Sequence, residues 1–450
     1  MAKPDKELPV MPETTRDQDK IQFFFSNVLD NFACENGRWS PLYMRRSEHG
    51  IAIRVSGVWR VYRNTQDGML NFWRDAAKAY PDLRQHNWST KRRKELWEYF
   101  NHYAPEVEYE SRRYFEMGNC VLDGHTGELD YSEERFLHNP TTRSSELSYD
   151  PSHTPSPAWQ TWYDEMDDHQ KQVRDWSVGS AILGEYGLLF TFGQSRTGKS
   201  TLAEGLAGVL GDGARVFSLS QNWGRFGTLK MENTTYLYDS DAKGSKGANN
   251  DNYETLSQMA SGDPITMEIK GGRSYQTTNY GFVEVVSNKP ATMDFEQSLV
   301  DRVRFCLYTY VRSKSDGGVM KRLILADKQA WLNYAVECAI GLAKGDIKRP
   351  PLNKYQMFGW AQWLKEANTY GRLCVEAGAI LTYDHYRMNY DASNGAARFR
   401  LTRETVDEMN MGLAELNRQY GSNFLAEDWD KYGEQLEKEY NAPKETAKLL

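Results

Sequence analysis

The sequence has few cysteines and no long apolar run. Its 450 residues include five cysteines, which stand far apart without a CxxC pair, and this argues against a disulfide framework and a structural zinc site. No stretch approaches the roughly 20 apolar residues that a membrane span needs, and the N-terminus lacks the apolar core of a secretory signal. We therefore expect a protein that neither crosses a membrane nor enters the secretory path.

The chain also lacks an excess of basic over acidic residues. The chain has 55 Lys and Arg residues against 62 Asp and Glu residues, which gives a formal net charge of −7. This balance argues against a protein that coats duplex DNA through a broadly basic exterior. Any nucleic-acid site must therefore be local and enclosed.

The length of the chain allows roughly two or three domains. Residues 139–157 are rich in Pro, Ser and Thr, a composition that is typical of a linker, so we place a boundary there. We predict an accessory α/β domain over residues 1–150, a larger α/β domain over residues 151–315, and a mostly helical region over residues 316–450.

The pattern of apolar residues predicts a parallel sheet with helices on both faces. One apolar-periodic helix is predicted over roughly residues 158–181, and the run 187–192 is short and apolar enough for a buried parallel strand. Further strands are predicted at residues 51–55 and 58–62 in the first domain, and at residues 215–219, 234–238 and 282–287 in the second. This alternation of strands and helices indicates the α/β class.

A phosphate-binding motif follows the predicted strand at residues 187–192. The signature GxxxxGK[ST] is matched by Gly193, Gln194, Ser195, Arg196, Thr197, Gly198, Lys199 and Ser200, with Thr201 next in the chain. Such a loop points backbone N–H groups and a helix N-terminus at phosphate oxygens. In that arrangement Lys199 reaches the β- and γ-phosphates, and the Ser200 hydroxyl is available to Mg²⁺. The motif predicts ATP and Mg²⁺ as ligands.

Three later segments supply the other groups that ATP hydrolysis needs. Asp239 and Asp241 follow a predicted strand and are both candidates to hold Mg²⁺ and to orient water. Asn288 ends the next strand, a position from which an amide can contact the γ-phosphate or the attacking water. Arg302 and Arg304 are both candidates for an arginine finger that reaches the nucleotide of a neighbouring subunit.

A predicted hairpin lies between the aspartates and Asn288. Residues 265–269 are predicted as its first strand, followed by a tight Gly-Gly turn that Lys270 and Arg273 flank. Cations at a hairpin tip can grip a phosphate backbone without a basic exterior. We therefore predict Lys270 and Arg273 as DNA-binding residues.

The ordered set of motifs resembles the superfamily 3 helicases, in particular the phage and poxvirus type of primase-helicase C-terminal region. The segments that carry the resemblance are GQSRTGKST, FSLSQNWGRFGTL, YLYDSD, SGDPIT with its following Lys, VVSNKP and DRVRF, and the strong part covers about residues 115–345. The resemblance implies a hexameric ring ATPase with an AAA+-like core that moves 3′ to 5′ along single-stranded DNA.

The resemblance also implies roles and partners. Lys199 and Ser200 would bind nucleotide and Mg²⁺, Asn288 would act as sensor 1, and Arg302 would be the finger. Lys270 would grip DNA. The expected partners are single-stranded or forked DNA, other copies of the chain in a homo-hexamer, and a separate primase or polymerase. The expected location is the cytoplasm, that of the host cell if a phage encodes the protein.

Two other classes of protein remain open. One is another P-loop DNA motor, such as a packaging ATPase or a helicase loader. The other is an ATP-switched initiator that binds an origin, or a structural ring without unwinding activity. DNA-stimulated turnover separates them, because a switch should hydrolyse ATP slowly whether or not single strands are present.

Overall fold

The computed structural model divides the chain into two compact units, Met1–Tyr149 and Asp150–Leu450. It describes residues 44–47, 50–55, 58–63, 66–79, 89–103, 113–132, 143–195, 197–219, 234–242, 250–268, 274–278, 281–289, 297–308, 317–367, 369–387 and 401–441. Across these ranges every helix is too short or too polar to cross a lipid bilayer.

Within the described ranges, the first unit contains two small antiparallel sheets and two helices. The first sheet consists of β1 (Met44–Ser47), β2 (Gly50–Val55) and β3 (Val58–Arg63), which confirms the two strands predicted there. Helices α1 (Gln66–Ala79) and α2 (Thr90–Tyr103) pack through Phe72 and Trp97, whose ring centroids lie 5.3 Å apart. The second sheet is the meander β4 (Tyr114–Glu116), β5 (Val121–Asp123) and β6 (Glu128–Asp130).

The second unit is built around a five-stranded parallel sheet. The strands described in this unit are β7 (Leu188–Gly193), β8 (Ala214–Val216), β9 (Tyr236–Ala242), β10 (Pro264–Glu268), β11 (Ser274–Thr278), β12 (Phe282–Ser287) and β13 (Val303–Tyr308). The sheet has the order β13-β7-β12-β9-β8, while β10 and β11 form a separate antiparallel pair. The predicted α/β class and parallel sheet are confirmed.

Eleven helices of the second unit have bounds in the described ranges. They are α3 (Pro157–Asp164), α4 (Asp168–Leu183), α5 (Lys199–Leu210), α6 (Asn250–Ser261), α7 (Gln297–Arg302), α8 (Gly317–Ala326), α9 (Lys328–Lys344), α10 (Lys354–Ala367), α11 (Thr369–Ala377), α12 (Arg403–Tyr420) and α13 (Trp429–Asn441).

The single helix predicted over residues 158–181 is two helices, so that prediction was wrong. Helix α3 ends at Asp164, and Asp167 caps the start of α4. The Asp167 carboxylate accepts the backbone N–H of Gln170, and the Gln170 side chain accepts the N–H of Asp167. This capping box satisfies backbone donors at a helix start, so it stabilises a new helix there instead of continuing the first one.

Side chains from neighbouring helices cover the outer edge of β13. The Gln356 amide both accepts from the Phe305 N–H and donates to the Phe305 carbonyl, at 2.8 and 2.9 Å. The Tyr355 hydroxyl contacts the N–H and carbonyl of Leu307 in the same way. An uncovered edge strand exposes unpaired backbone groups, so α10 replaces a missing neighbouring strand.

The C-terminal helices share one hydrophobic core with the sheet. This core joins Phe190 and Phe305 of the sheet to Trp360 of α10, Leu413 of α12 and Trp429 of α13. The Phe305 and Trp360 rings meet edge to face, with centroids 5.1 Å apart. Helices after residue 316 therefore contribute directly to the packing of the sheet, while the three-domain division stays a prediction.

Candidate functional site

The phosphate-binding motif forms a tight loop between β7 and α5. Gly193 has a φ of +156°, and a Cβ placed there would lie 2.0 Å from the Tyr308 carbonyl oxygen, so only glycine fits beside β13. Gly198 has a φ of +85° and precedes α5 without a side-chain cap. A helix start that lacks a side-chain cap can direct its first N–H groups at an anion.

Lys199 is the cation of this loop, and its ammonium faces the end of β12. Lys199 is buried, with 9% exposure, and its Nζ donates to the Asn288 Oδ1 at 2.6 Å and to the Gln194 carbonyl at 3.0 Å. The Thr197 hydroxyl donates to the same carbonyl at 3.0 Å. The structure thus brings together Lys199, which the sequence predicted from its motif, and Asn288, which it predicted from a position at a strand end.

A buried carboxylate holds the strands beneath the site in register. Glu284 of β12 accepts from Arg174 Nη1 at 2.6 Å and from the Thr191 hydroxyl at 2.6 Å, and it also accepts from the Tyr236 hydroxyl. Arg174 Nε donates to the Tyr308 hydroxyl at 3.1 Å. One cluster thus links α4 to β7, β9, β12 and β13.

The electrostatics of this cluster follow from burial and charge together. Arg174 and Glu284 are 0% and 1% exposed, and two such charges are stable away from water only as a pair. Burial raises the pKa of Tyr236 well above its ordinary value, and the neighbouring Glu284 carboxylate raises it further. Burial likewise raises the pKa of Tyr308. Both phenols therefore stay neutral, and Tyr236 donates to Glu284 while Tyr308 accepts from Arg174.

The two candidate acids lie on β9, on the far side of β12 from β7. Asp239 is buried, and its Oδ2 accepts the backbone N–H of Leu219 at 2.9 Å. It lies opposite Val285 of β12, two residues inside the strand from Asp241. Asp239 thus has a structural bond to the segment after β8. The side chain of Asp241 lies outside what the structure describes.

The Ser200 hydroxyl has a cationic neighbour that the sequence motif did not predict. Lys321 of α8 donates from its Nζ to the Ser200 Oγ at 3.2 Å and to the Glu204 Oε1 at 2.6 Å. Lys321 and Glu204 are both partly exposed. The Glu204 carboxylate also adds to burial in raising the pKa of Tyr238 on β9.

The two candidate finger residues occupy very different surroundings. Arg304 is buried, and its guanidinium donates to the backbone carbonyls of Pro350, Val300 and Val303. Burial, with a smaller contribution from Arg349, lowers the pKa of Arg304 to about 9. Arg302 is partly buried at the end of α7, and its Nη1 donates to the Ser257 hydroxyl at 3.4 Å. Arg304 is committed to its own subunit by these bonds.

The other predicted residues lie in the loop, in α5 or outside the described residues. Gln194 and Ser195 are exposed in the loop, and Thr201 is buried in the first turn of α5. Arg196, Lys270 and Arg273 lie outside the described residues. Strands β10 and β11 pair as the predicted hairpin requires, from Pro264 opposite Thr278 to Glu268 opposite Ser274.

Sequence reasoning missed two parts of this arrangement. Glu284 had a usable signal, because a charged residue stands inside the otherwise apolar run of β12, and Arg174 stands on a buried helix in the same way. Lys321 had none, since 121 residues separate it from Ser200 and its neighbours in α8 follow no motif. Within the described ranges, no group of three or more His, Cys, Asp and Glu side chains forms a metal cluster.

A model of one protein family matches part of the chain. Residues 191–302 match the model of a family of unknown function (DUF5906), which spans less than half of the chain. No curated protein matches the sequence.

Two solved structures show a weak likeness to the chain. One is the C-terminal region of NrS-1, with 10% identity and a TM-score of 0.32 over 69% of this chain and 90% of that one. Another is JCV helicase, with 13% identity and a TM-score of 0.31 over 58% of this chain and 65% of that one. These TM-scores are low, so neither likeness carries an argument about fold or activity.

Proposed function

We propose that this chain is an ATP-hydrolysing DNA helicase of superfamily 3. The observation that supports it most directly is the contact between Lys199 Nζ, at the start of α5, and Asn288 Oδ1, directly after β12. A cation and a polar amide that converge beside an uncapped helix start are the groups that ATP hydrolysis uses to bind and sense a terminal phosphate. The sequence motif and this contact both support the proposal.

The residues present fit ATP and Mg²⁺. The backbone of residues 194–198 and the start of α5 would hold phosphate oxygens, and Lys199 would neutralise their charge. Ser200, together with Asp239 or Asp241, would hold Mg²⁺, which supplies charge neutralisation at the phosphates when bound. Asn288 would orient the terminal phosphate or the attacking water. Asp239 already accepts the Leu219 N–H, which favours Asp241 for direct contact with the metal.

The helicase part of the proposal rests on sheet order and on the motif set. Strand β12, which leads to Asn288, lies between β7 with the P-loop and β9 with the two aspartates. We take this sheet as an AAA+-like core that assembles into a homo-hexamer. Arg302 then acts on the nucleotide of the adjacent subunit, because Arg304 is bonded to three carbonyls of its own subunit.

The DNA-binding part of the proposal concerns the hairpin of β10 and β11. Lys270 and Arg273 fall in the connection between these paired strands. Six such tips around a ring channel would grip single-stranded DNA during 3′ to 5′ movement, and forked DNA would be the substrate. A separate primase or polymerase would complete the replication assembly, in the cytoplasm of the host cell if a phage encodes the chain.

The test is hydrolysis and unwinding by Lys199→Ala. We expect the wild-type chain to hydrolyse ATP, to be stimulated by single-stranded DNA, and to unwind a forked duplex. Lys199→Ala should abolish turnover because it removes the cation that neutralises the transferred phosphoryl group. Lys354→Ala is the matched control, since Lys354 pairs with Glu427 and with no residue of the motif loop.

Each outcome has a distinct meaning. Turnover that persists in Lys199→Ala overturns the ATPase assignment. Slow turnover that ignores single-stranded DNA, without unwinding, favours the ATP-switched initiator or structural ring. DNA-stimulated turnover that moves duplex DNA without separating its strands favours another P-loop motor.

A further inference from the structure

Lys321 places a second ammonium group beside the motif loop, at Ser200. Its Nζ lies 3.2 Å from the Ser200 Oγ and 2.6 Å from the Glu204 Oε1. Ser200 and Glu204 are four residues apart on α5, so they share one face of that helix. Lys321 bridges this face from α8.

The position of α8 is fixed by packing, so the contact is more than a chance surface pair. Trp331 of α9 donates from its Nε1 to the Ile324 carbonyl at the end of α8, at 3.0 Å. The same indole packs against Gly205 of α5, where an added Cβ would lie 2.3 Å from the ring. Because Gly205 follows Glu204 directly, Trp331 ties α8 and α5 together beside the Lys321 contact.

The chemistry of Ser200 makes this contact consequential. A serine hydroxyl oxygen has two lone pairs, and Lys321 donates to one of them. Mg²⁺ binds oxygen ligands at about 2.0–2.1 Å and requires near-octahedral geometry. A metal ion at Ser200 would lie close to the Lys321 ammonium, and two positive charges at that separation repel.

We propose that Lys321 competes with Mg²⁺ for the Ser200 hydroxyl, so that binding of the metal with its nucleotide displaces the ammonium of α8 from the P-loop. Glu204 retains Lys321 near the loop after displacement. The Mg²⁺ requirement of the site is then set in part by α8, a helix that carries none of the recognised motifs. This inference rests on the proposed function.

The test measures how ATP affinity depends on Mg²⁺. ATP is titrated into the full chain by calorimetry at a series of MgCl₂ concentrations and in EDTA, and thermal unfolding confirms that each variant is folded. We expect Lys321→Met to lower the half-saturating Mg²⁺ concentration roughly three- to tenfold, because the competing charge is gone. Lys321→Gln should act in the same direction.

A double variant separates two causes of such a shift. Lys321→Met leaves the Glu204 carboxylate without its lysine, and that carboxylate could itself attract Mg²⁺. Lys321→Met combined with Glu204→Gln removes both charges. The lowered Mg²⁺ requirement should persist in the double variant if ammonium competition is the cause. A return to the wild-type requirement overturns the proposal.

Lys365→Met is the control variant for Lys321→Met. Lys365→Met breaks an ion pair of similar length, 2.7 Å to Asp430, that involves neither Ser200 nor Glu204, and should leave the Mg²⁺ dependence unchanged. An unchanged Mg²⁺ requirement in Lys321→Met overturns the inference alone. Loss of ATP binding in Lys321→Met also overturns it, because Lys321 would then be a nucleotide ligand. A wild-type chain that binds no ATP overturns the proposed function, and the inference falls with it.

Discussion

The Lys199 ammonium donates to the Asn288 side-chain oxygen across 2.6 Å, although 89 residues separate the two in sequence. The contact joins the start of α5 to the residue that follows β12. Parallel pairing of β7 with β12 brings these two ends to the same edge of the sheet, with Phe192 opposite Ser287. Lys199, at the start of α5, is therefore positioned by an amide that directly follows β12.

The first prediction concerns Asn288. Replacement by Ala should lower ATP turnover by about 10- to 100-fold, because one oriented polar group is lost from the site where charge develops. ATP affinity should change little, since Lys199 keeps its second partner at the Gln194 carbonyl. Steady-state hydrolysis and ATP calorimetry measure the two effects separately.

Lys289→Ala is the matched control, because Lys289 is the next residue and pairs with Glu366 at 3.4 Å. Equal losses in both variants would mean that the end of β12 matters only for folding.

The second prediction distinguishes the two arginines after α7. Arg302→Ala should bind ATP and remain folded, yet lose turnover by about 10³-fold, as expected for a trans-acting finger. Mixing it with Lys199→Ala should restore part of the activity, because a mixed ring contains some interfaces in which both groups are intact. Hydrolysis across a series of mixing ratios measures this. The absence of any recovery would remove Arg302 from the neighbouring site.

Arg304→Ala should fail in a different way. Its guanidinium serves three backbone carbonyls in a buried place, so removal leaves those acceptors without a donor. We expect a loss of about 2–4 kcal/mol in the free energy of unfolding. Denaturant unfolding measures it. A stable, inactive Arg304→Ala variant would instead make Arg304 the finger.

The third prediction concerns the buried ion pair between Arg174 of α4 and Glu284 of β12. Arg174→Met leaves the Glu284 carboxylate buried and unpaired, and should lower the free energy of unfolding by roughly 3–5 kcal/mol. Arg174→Met combined with Glu284→Gln should recover much of that loss, because no uncompensated charge remains. A double-mutant cycle by denaturant unfolding gives the coupling. Additive losses would mean that the two side chains are energetically independent despite their 2.6 Å contact.

The fourth prediction concerns Lys270, which lies outside the described residues. Lys270→Ala should keep basal ATP hydrolysis, since the proposed grip on DNA lies away from the nucleotide. It should lose DNA stimulation and unwinding, and the remaining DNA affinity should depend less steeply on salt, because phosphate contacts have been removed. Affinity measured over a range of salt concentrations checks this. Unwinding at the wild-type rate would assign DNA binding to other residues.

The loop between β7 and α5 was predictable from the sequence. The spacing of Gly193, Gly198 and Lys199 follows from the turn that a phosphate loop needs, and such a motif is contained in eight consecutive residues. Four parallel strands were also predictable, and the run 187–192 most directly, because a run that is apolar on both faces is typical of a strand buried inside a sheet. The break between α3 and α4 was missed because the capping role of Asp167 competes with an apolar period that continues across it.

Only the tertiary structure decided which distant side chains meet. The sequence favoured Arg302 as the finger but left Arg304 open, and only the structure shows that Arg304 is bonded to the carbonyls of Pro350, Val300 and Val303. It gave no reason to connect Lys321 with Ser200, since packing of α8 against α5 depends on Gly205 and Trp331. Contacts of this kind arise from the shape of the whole core, and no local spacing of residues encodes them.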